Sequence, residues 1–288
     1  MRKKAKKELN KVWWFLLKVV FYYPFLGLYL FIRYILRKWR ERVKIRKEQK
    51  TKKEIEKQKP KTSAKYDGFK EILLKKGKLE DFESKLFSNK SIIGLILGAR
   101  GTGKSALGMR LLENFHSKTN QKAYALGFKE EALPSWIKVV TNIDQIENDA
   151  VILIDEGGIE FNSRNAMSNA NKILSEILLI ARHKDLSVIF ITQNSSNLEI
   201  NAIRQADYLL LKASSLLQKD FERKKIQDIY EQANNDFEQL KDKTGLTYVY
   251  TDNYRGFVTN TLPSFWGEKV SKGYANRKST ETKSKETT

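Results

Sequence analysis

An α/β fold, with a mostly parallel sheet flanked by helices, is what this 288-residue chain predicts, on three observations. The apolar runs within Ser91–Gly98, Asp149–Asp155 and Leu186–Asn194 are short and end in glycine, acidic or polar residues, as buried parallel strands do. Between them, Ala106–Leu112 and Ser168–Arg182 place apolar residues at helical spacing. Hydrophobic residues make up 41% of the chain, enough for a core, and there is no cysteine, which excludes a disulfide scaffold, cysteine-bound zinc and thiol chemistry. With His116 and His183 the only histidines, a histidine-rich metal site is excluded as well.

Charge is concentrated at the N-terminal end. Of the formal net charge of +20, residues 1–90 supply 28 Lys or Arg against 10 Asp or Glu, and the remainder is close to neutral. A basic module joined to an ordinary globular domain is implied, with nucleic acid or an acidic lipid surface as its partner. Inside this module, Val12–Ile32 is rich in Trp, Phe, Tyr, Leu and Val, and Lys18 is its only charge. As a helix it would reach about 31 Å, close to a bilayer's hydrocarbon thickness. Trp13, Trp14, Tyr22, Tyr23, Tyr29 and Tyr34 are residue types favoured at membrane interfaces. The strictly uncharged part, Val19–Ile32, holds Pro24 and Gly27, so a re-entrant or surface-lying segment fits too. Cations rather than a small-residue cleavage site follow the run, against a signal peptide. The larger cation excess after it, 14 in Arg33–Lys61 against seven in Met1–Lys18, leaves the C-terminal bulk in the cytoplasm. From Arg37 to Lys61 the chain reads as a solvated charged helix or tether that could lie on acidic headgroups or contact DNA. The domain expectation is thus a basic, membrane-embedded N-terminus over 1–40 (apolar segment about 12–36), a basic linker over 41–65, a globular domain over 66–270 and a tail over 271–288 without apolar spacing.

The globular domain carries the chemistry. Gly98-Ala99-Arg100-Gly101-Thr102-Gly103-Lys104-Ser105, entered from an apolar strand and left through Ala106 into a helix, has the spacing of a P-loop. In such a loop, backbone N–H groups and the helix N-terminus surround the phosphates, Lys104 reaches the β and γ phosphates of ATP, and Ser105 puts its hydroxyl on Mg²⁺. About fifty residues on, the second strand ends in Asp155-Glu156. Asp155 is placed for the Mg²⁺ shell, and Glu156 for polarising the attacking water as general base. The third strand ends in Thr192-Gln193-Asn194, where Gln193 could bond the γ-phosphate or the lytic water. Arg182, closing the helix before it, is either a charge favourable to the helix dipole or a finger entering a neighbour's site.

This set resembles the FtsK-HerA superfamily of ring-forming DNA-pumping P-loop ATPases, with a RecA/ASCE-like core, and within it the zonula occludens toxin-like and viral packaging branches. The resemblance covers roughly Ser91–Trp266 and rests on the P-loop, the Asp155-Glu156 strand, and Ala181-Arg182 followed by the Ile-Thr-Gln strand end at Gln193. It implies an arginine acting in trans at Arg182, nucleotide sensing at Gln193, DNA as partner and a homo-oligomeric ring, a hexamer. Zonula occludens toxin-like proteins generally carry their membrane segment after the ATPase domain; here the apolar segment comes first, as in coupling proteins and cell-division translocases. Ser214–Leu240 reads as a polar helix, and Thr247–Thr251 with Gly256–Leu262 as a hairpin, neither supplying a DNA-reading motif. Arg164 and Arg204 are second candidates for a finger. The expected function is a membrane-anchored, ATP-hydrolysing DNA motor. Two other functions remain open: a tethered ATPase driving virion extrusion or protein secretion, and a nucleotide switch that gates a membrane partner.

Overall fold

The computed structural model describes residues 13–15, 23–157, 166–198, 200–215 and 219–271. The chain divides into two compact units, Met1–Lys57 and Gln58–Thr288. In the first, one helix of 36 residues, α1 (Tyr23–Gln58), runs through both the end of the apolar segment and the expected linker as far as Gln58. Its apolar residues Tyr29–Ile32, Tyr34–Leu36 and Trp39 are exposed, and charge follows them along the axis. No helix among the described residues is long and apolar enough to cross a membrane. Val12 and Leu16–Tyr22, the first half of the expected span, lie outside the described residues, as do Arg164 and the tail beyond Ser271.

In the second unit the described strands form one sheet, in the order β1-β9-β8-β7-β2-β6-β5-β3-β4. These are β1 (Lys70–Lys76), β2 (Ile93–Leu97), β3 (Lys122–Leu126), β4 (Ile137–Val140), β5 (Ala150–Asp155), β6 (Leu186–Ile191), β7 (Tyr208–Leu211), β8 (Thr247–Tyr250) and β9 (Arg255–Thr259). The six from β7 to β4 are parallel, and β8, β9 and β1 add an antiparallel flank. The mostly parallel α/β fold read from the sequence is therefore the fold observed. The three strands expected from apolar runs are β2, β5 and β6, the middle of the sheet, where both faces are covered and near-continuous apolar sequence is needed.

Strand alternation divides the core between two faces. Leu95, Ile152, Val188 and Phe190 meet one helical layer through α4 (Ala166–Ala181), α5 (Ile200–Gln205) and α6 (Lys224–Gln239). Ile96, Leu153, Ile189 and Ile191 meet the other, built from α2 (Leu79–Ser88) and α3 (Lys104–Thr119). A short α7 (Glu268–Ser271) follows the sheet. Of the polar helix expected over Ser214–Leu240, α6 supplies Lys224–Gln239, and Lys219 and Asp220 are helical as well. Helix α6 is amphipathic, burying Ile226, Ile229, Tyr230, Ala233 and Phe237 at helical spacing. Arg223, which precedes it, is extended and braces another loop, described below.

Helix α3 is anchored from outside by polar side chains. Glu113, fully buried, pairs with the Arg110 guanidinium at 2.9 Å and accepts from the backbone N–H groups of Lys65 and Ser264, each at 3.0 Å. Asn114 bonds both the N–H and the C=O of Asp67. Trp136 stacks on His116 and donates to the Thr62 carbonyl. The extended stretch from Lys59 to Phe69 and the segment 260–265 are thus tied to the helix that the P-loop feeds.

Candidate nucleotide site

The parallel strands β2, β5 and β6 end side by side, and the catalytic candidates leave from those ends. Gly101 and Gly103 have φ of +81° and +88°, a left-handed backbone that side chains rarely adopt. A Cβ at either position would meet nothing within 4 Å, so the space over the loop is open, as a phosphate cradle requires. Gly103 caps α3, whose first-turn N–H groups have no carbonyl partner within the helix and face the position a phosphate would take. Arg100 is exposed and Ala106 buried, while Ala99 and Thr102 close the turn through a hydrogen bond from the Thr102 hydroxyl to the Ala99 carbonyl.

Lys104 is buried, and its ammonium donates to the Gly98 and Ala99 carbonyls at 2.8 Å each. Burial lowers its pKa, and the nearby Asp155 and Glu156 carboxylates oppose that shift. The two acids therefore lie at the same end of the sheet as the lysine. Ser105 donates to Asp155 at 3.0 Å, and the other Asp155 oxygen accepts from the Gly157 N–H. Among the described residues no three His, Asp or Glu converge on a metal position. Mg²⁺ does not need them, because it binds one or two protein oxygens together with phosphate and water. The adjacent hydroxyl and carboxylate fit that ion.

Glu156 is 4% exposed and accepts a hydrogen bond from the Thr192 hydroxyl. Asp155 pairs with Ile191 across β5 and β6, which puts the next residues, Glu156 and Thr192, opposite each other. Gln193, the polar residue singled out in the sequence, is exposed; its neighbour Thr192 is the one facing the acid. Strand alternation carries the signal for Thr192, since it continues the Val188, Phe190 row. Arg182 is exposed and precedes β6, whereas the P-loop follows β2, parallel to β6. Six residues of strand, about 20 Å, separate the two ends, so Arg182 cannot serve its own P-loop.

Residues 105–209 match the family model described as Zonular occludens toxin (Zot). That segment is a Zot-like domain, and the groups at the strand ends around it are those of a P-loop ATPase. No curated protein matches the sequence. Solved structures similar to the ATPase include the DNA-packaging ATPase B204 from Sulfolobus turreted icosahedral virus, at 15% identity over 60% of this chain and 98% of that one, with a TM-score of 0.41. The pCW3 conjugation coupling protein TcpA, in monomer form with ATPγS, is 12% identical over 74% and 71% of the two chains, with a TM-score of 0.42. EssC ATPases 2 and 3 from Geobacillus thermodenitrificans are 12% identical over 73% and 47%, with a TM-score of 0.41.

The sequence did not mark out Lys212. It follows β7 directly beneath the P-loop, where its N–H bonds the Leu97 carbonyl and the next residue's carbonyl accepts from Ala99. Its ammonium is buried against the Gly245 and Leu246 carbonyls, and burial pushes its pKa down to about 8. Between pH 8 and the usual lysine value of 10.5, the folded chain has released this proton while the unfolded chain still holds it. Stability contributed by this site therefore rises with pH across that window, by up to about 3 kcal/mol. Lys212→Met should remove the rise: in urea unfolding at pH 8 and at pH 9.5, the wild type should gain stability relative to the variant at the higher pH. A difference independent of pH would show that Lys212 is not so perturbed.

Proposed function

We propose that this ATPase is a motor of the packaging or translocase type, tethered to a membrane and acting on DNA. The observation carrying the proposal is the meeting of Lys104, Ser105, Asp155 and Glu156 at one end of the sheet. In the proposed cycle, backbone N–H groups of Gly101–Ala106 bind the phosphates, and the Lys104 ammonium leaves its two carbonyls for the β and γ phosphates. Ser105 and Asp155 hold Mg²⁺, which neutralises charge on the phosphates when bound. Glu156 takes a proton from the attacking water, Gln193 reports the γ-phosphate, and Arg182 neutralises charge in a neighbouring subunit's site. The 20 Å separation within one subunit leaves that role only in trans, which requires an oligomer, proposed here as a homo-oligomeric ring, a hexamer.

Two features support anionic partners. Residues 1–90 hold nearly all of the net charge. On α1 the exposed apolar residues lie toward one end and the cations follow along the axis, without an apolar stripe down its length. A helix so divided suits end-on entry into a bilayer, with Arg33–Lys50 at acidic headgroups, more than lying flat. The ATPase unit then stands in the cytoplasm.

One set of measurements on the full chain tests this reading: ATP turnover and particle mass, with and without double-stranded DNA, single-stranded DNA and vesicles containing an anionic lipid. Turnover stimulated by DNA in a multimer that floats with the vesicles is expected. Stimulation by neither DNA would replace the motor with an assembly ATPase, and a fully active monomer would remove the ring.

A further inference from the structure

Beyond the groups assigned above, one buried polar chain begins at the candidate general base and leads away from the nucleotide. Thr192, 1% exposed, has its hydroxyl between the Glu156 carboxylate and the Asn194 carbonyl, the latter at 3.0 Å; its one proton goes to the charged acceptor, the stronger of the two, and the oxygen accepts the N–H of Asn194 at 3.2 Å. The turn that follows, Ser195–Asn197, is held from a separate part of the chain. Glu222, also buried, accepts from both the N–H and the hydroxyl of Ser195. Arg223 donates through its backbone N–H to the Ser195 hydroxyl at 3.1 Å and through Nε to the Ser195 carbonyl at 3.0 Å, and its remaining arm reaches the Leu198 carbonyl. Arg223 makes these bonds from an extended backbone at the N-terminal end of α6. A carboxylate that must face a water molecule has two oxygens and a freely turning terminal torsion, and one directed donor fixes which oxygen points where.

We propose that Thr192 is a positioning residue for Glu156, its hydroxyl setting the orientation of the carboxylate, and that Glu222 and Arg223 hold the turn that keeps Thr192 in place. The inference rests on the reading of Glu156 as the base and adds the residue that aims it. Nothing in this role touches nucleotide, so removing the hydroxyl should alter turnover without altering binding. Partners that orient a reacting group from behind contribute about 10- to 100-fold in comparable sites.

The test uses the full chain with Thr192→Val, which keeps the shape and loses the hydroxyl, and Thr192→Ser, which keeps the hydroxyl. ATP turnover is measured alongside the affinity for a fluorescent, slowly hydrolysed ATP analogue and the melting temperature. Thr192→Val should lower kcat about 10- to 100-fold while the affinity for the analogue stays within about twofold of wild type. Thr192→Ser should recover turnover to within about threefold. Wild-type turnover in Thr192→Val would overturn the proposal, and so would a serine variant as slow as the valine one. Loss of analogue binding or of the folding transition in Thr192→Val would also overturn it, since the hydroxyl would then serve the fold and not the base. If Glu156→Gln turned over ATP normally, the assignment of the base would fail first, a result separable from any obtained at Thr192.

Discussion

Glu156→Gln is expected to bind ATP with near wild-type affinity and to hydrolyse it about 10² to 10⁴ times more slowly, the usual contribution of a positioned general base. Glutamine occupies the same volume and still accepts the Thr192 hydrogen bond through its carbonyl, so the packing around a residue 4% exposed is kept while the basic oxygen is lost. Affinity should persist because the phosphates are held elsewhere, by the loop and Lys104. The comparison is a single-turnover hydrolysis rate against a binding isotherm for the same variant. Normal hydrolysis in Glu156→Gln would mean that another group activates the water, and loss of binding would mean that Glu156 helps to shape the phosphate site.

A second large effect is expected far from the phosphates. In Glu113→Ala, the buried Arg110 guanidinium would lose its carboxylate and keep only the backbone carbonyls of Lys65, Thr261 and Leu262. The N–H groups of Lys65 and Ser264 would lose their acceptor at the same time. Leaving one member of a buried pair unpaired costs about 3 to 5 kcal/mol. For a domain of this size the melting temperature should fall by roughly 10 °C. Lys224→Ala, which breaks an exposed pair with Asp228 on α6, should leave the transition where it was. Calorimetry on the three chains decides the matter: a Glu113→Ala transition within two or three degrees of wild type would show that solvent reaches Arg110 and that the pair is not a structural tie. Since Glu113 lies on the helix that follows the P-loop, the same variant should also weaken nucleotide binding through a looser α3.

Much of the site was legible before any fold was known because its grammar is local. A glycine-rich turn between an apolar strand and a helix can be read in eight residues, Gly98–Ser105, since the left-handed turns at Gly101 and Gly103 and the helix N-terminus after them need no distant partner. The acid pair at the end of an apolar run, Asp155-Glu156, is similarly self-contained. The three strands with both faces covered announced themselves by being apolar throughout. Strands β1, β3, β4 and β7 did not, because a run of four to seven residues without a phosphate or acid motif at its end is shared by strands, helices and loops alike.

What the sequence by itself determined, then, is the phosphate loop, the acid strand, the central parallel strands and the concentration of positive charge toward one end. The tertiary structure alone decided which groups meet. That Thr192 rather than Gln193 faces Glu156 follows from the register of β5 on β6. That Lys212 is buried beneath the loop follows from the position of β7 beside β2, and that Arg110 and Glu113 are buried follows from two distant segments crossing α3. The physical reason is one of range. Turns and helix ends are stabilised by hydrogen bonds among near neighbours in sequence, whereas burial and cross-strand pairing depend on residues that only folding brings together.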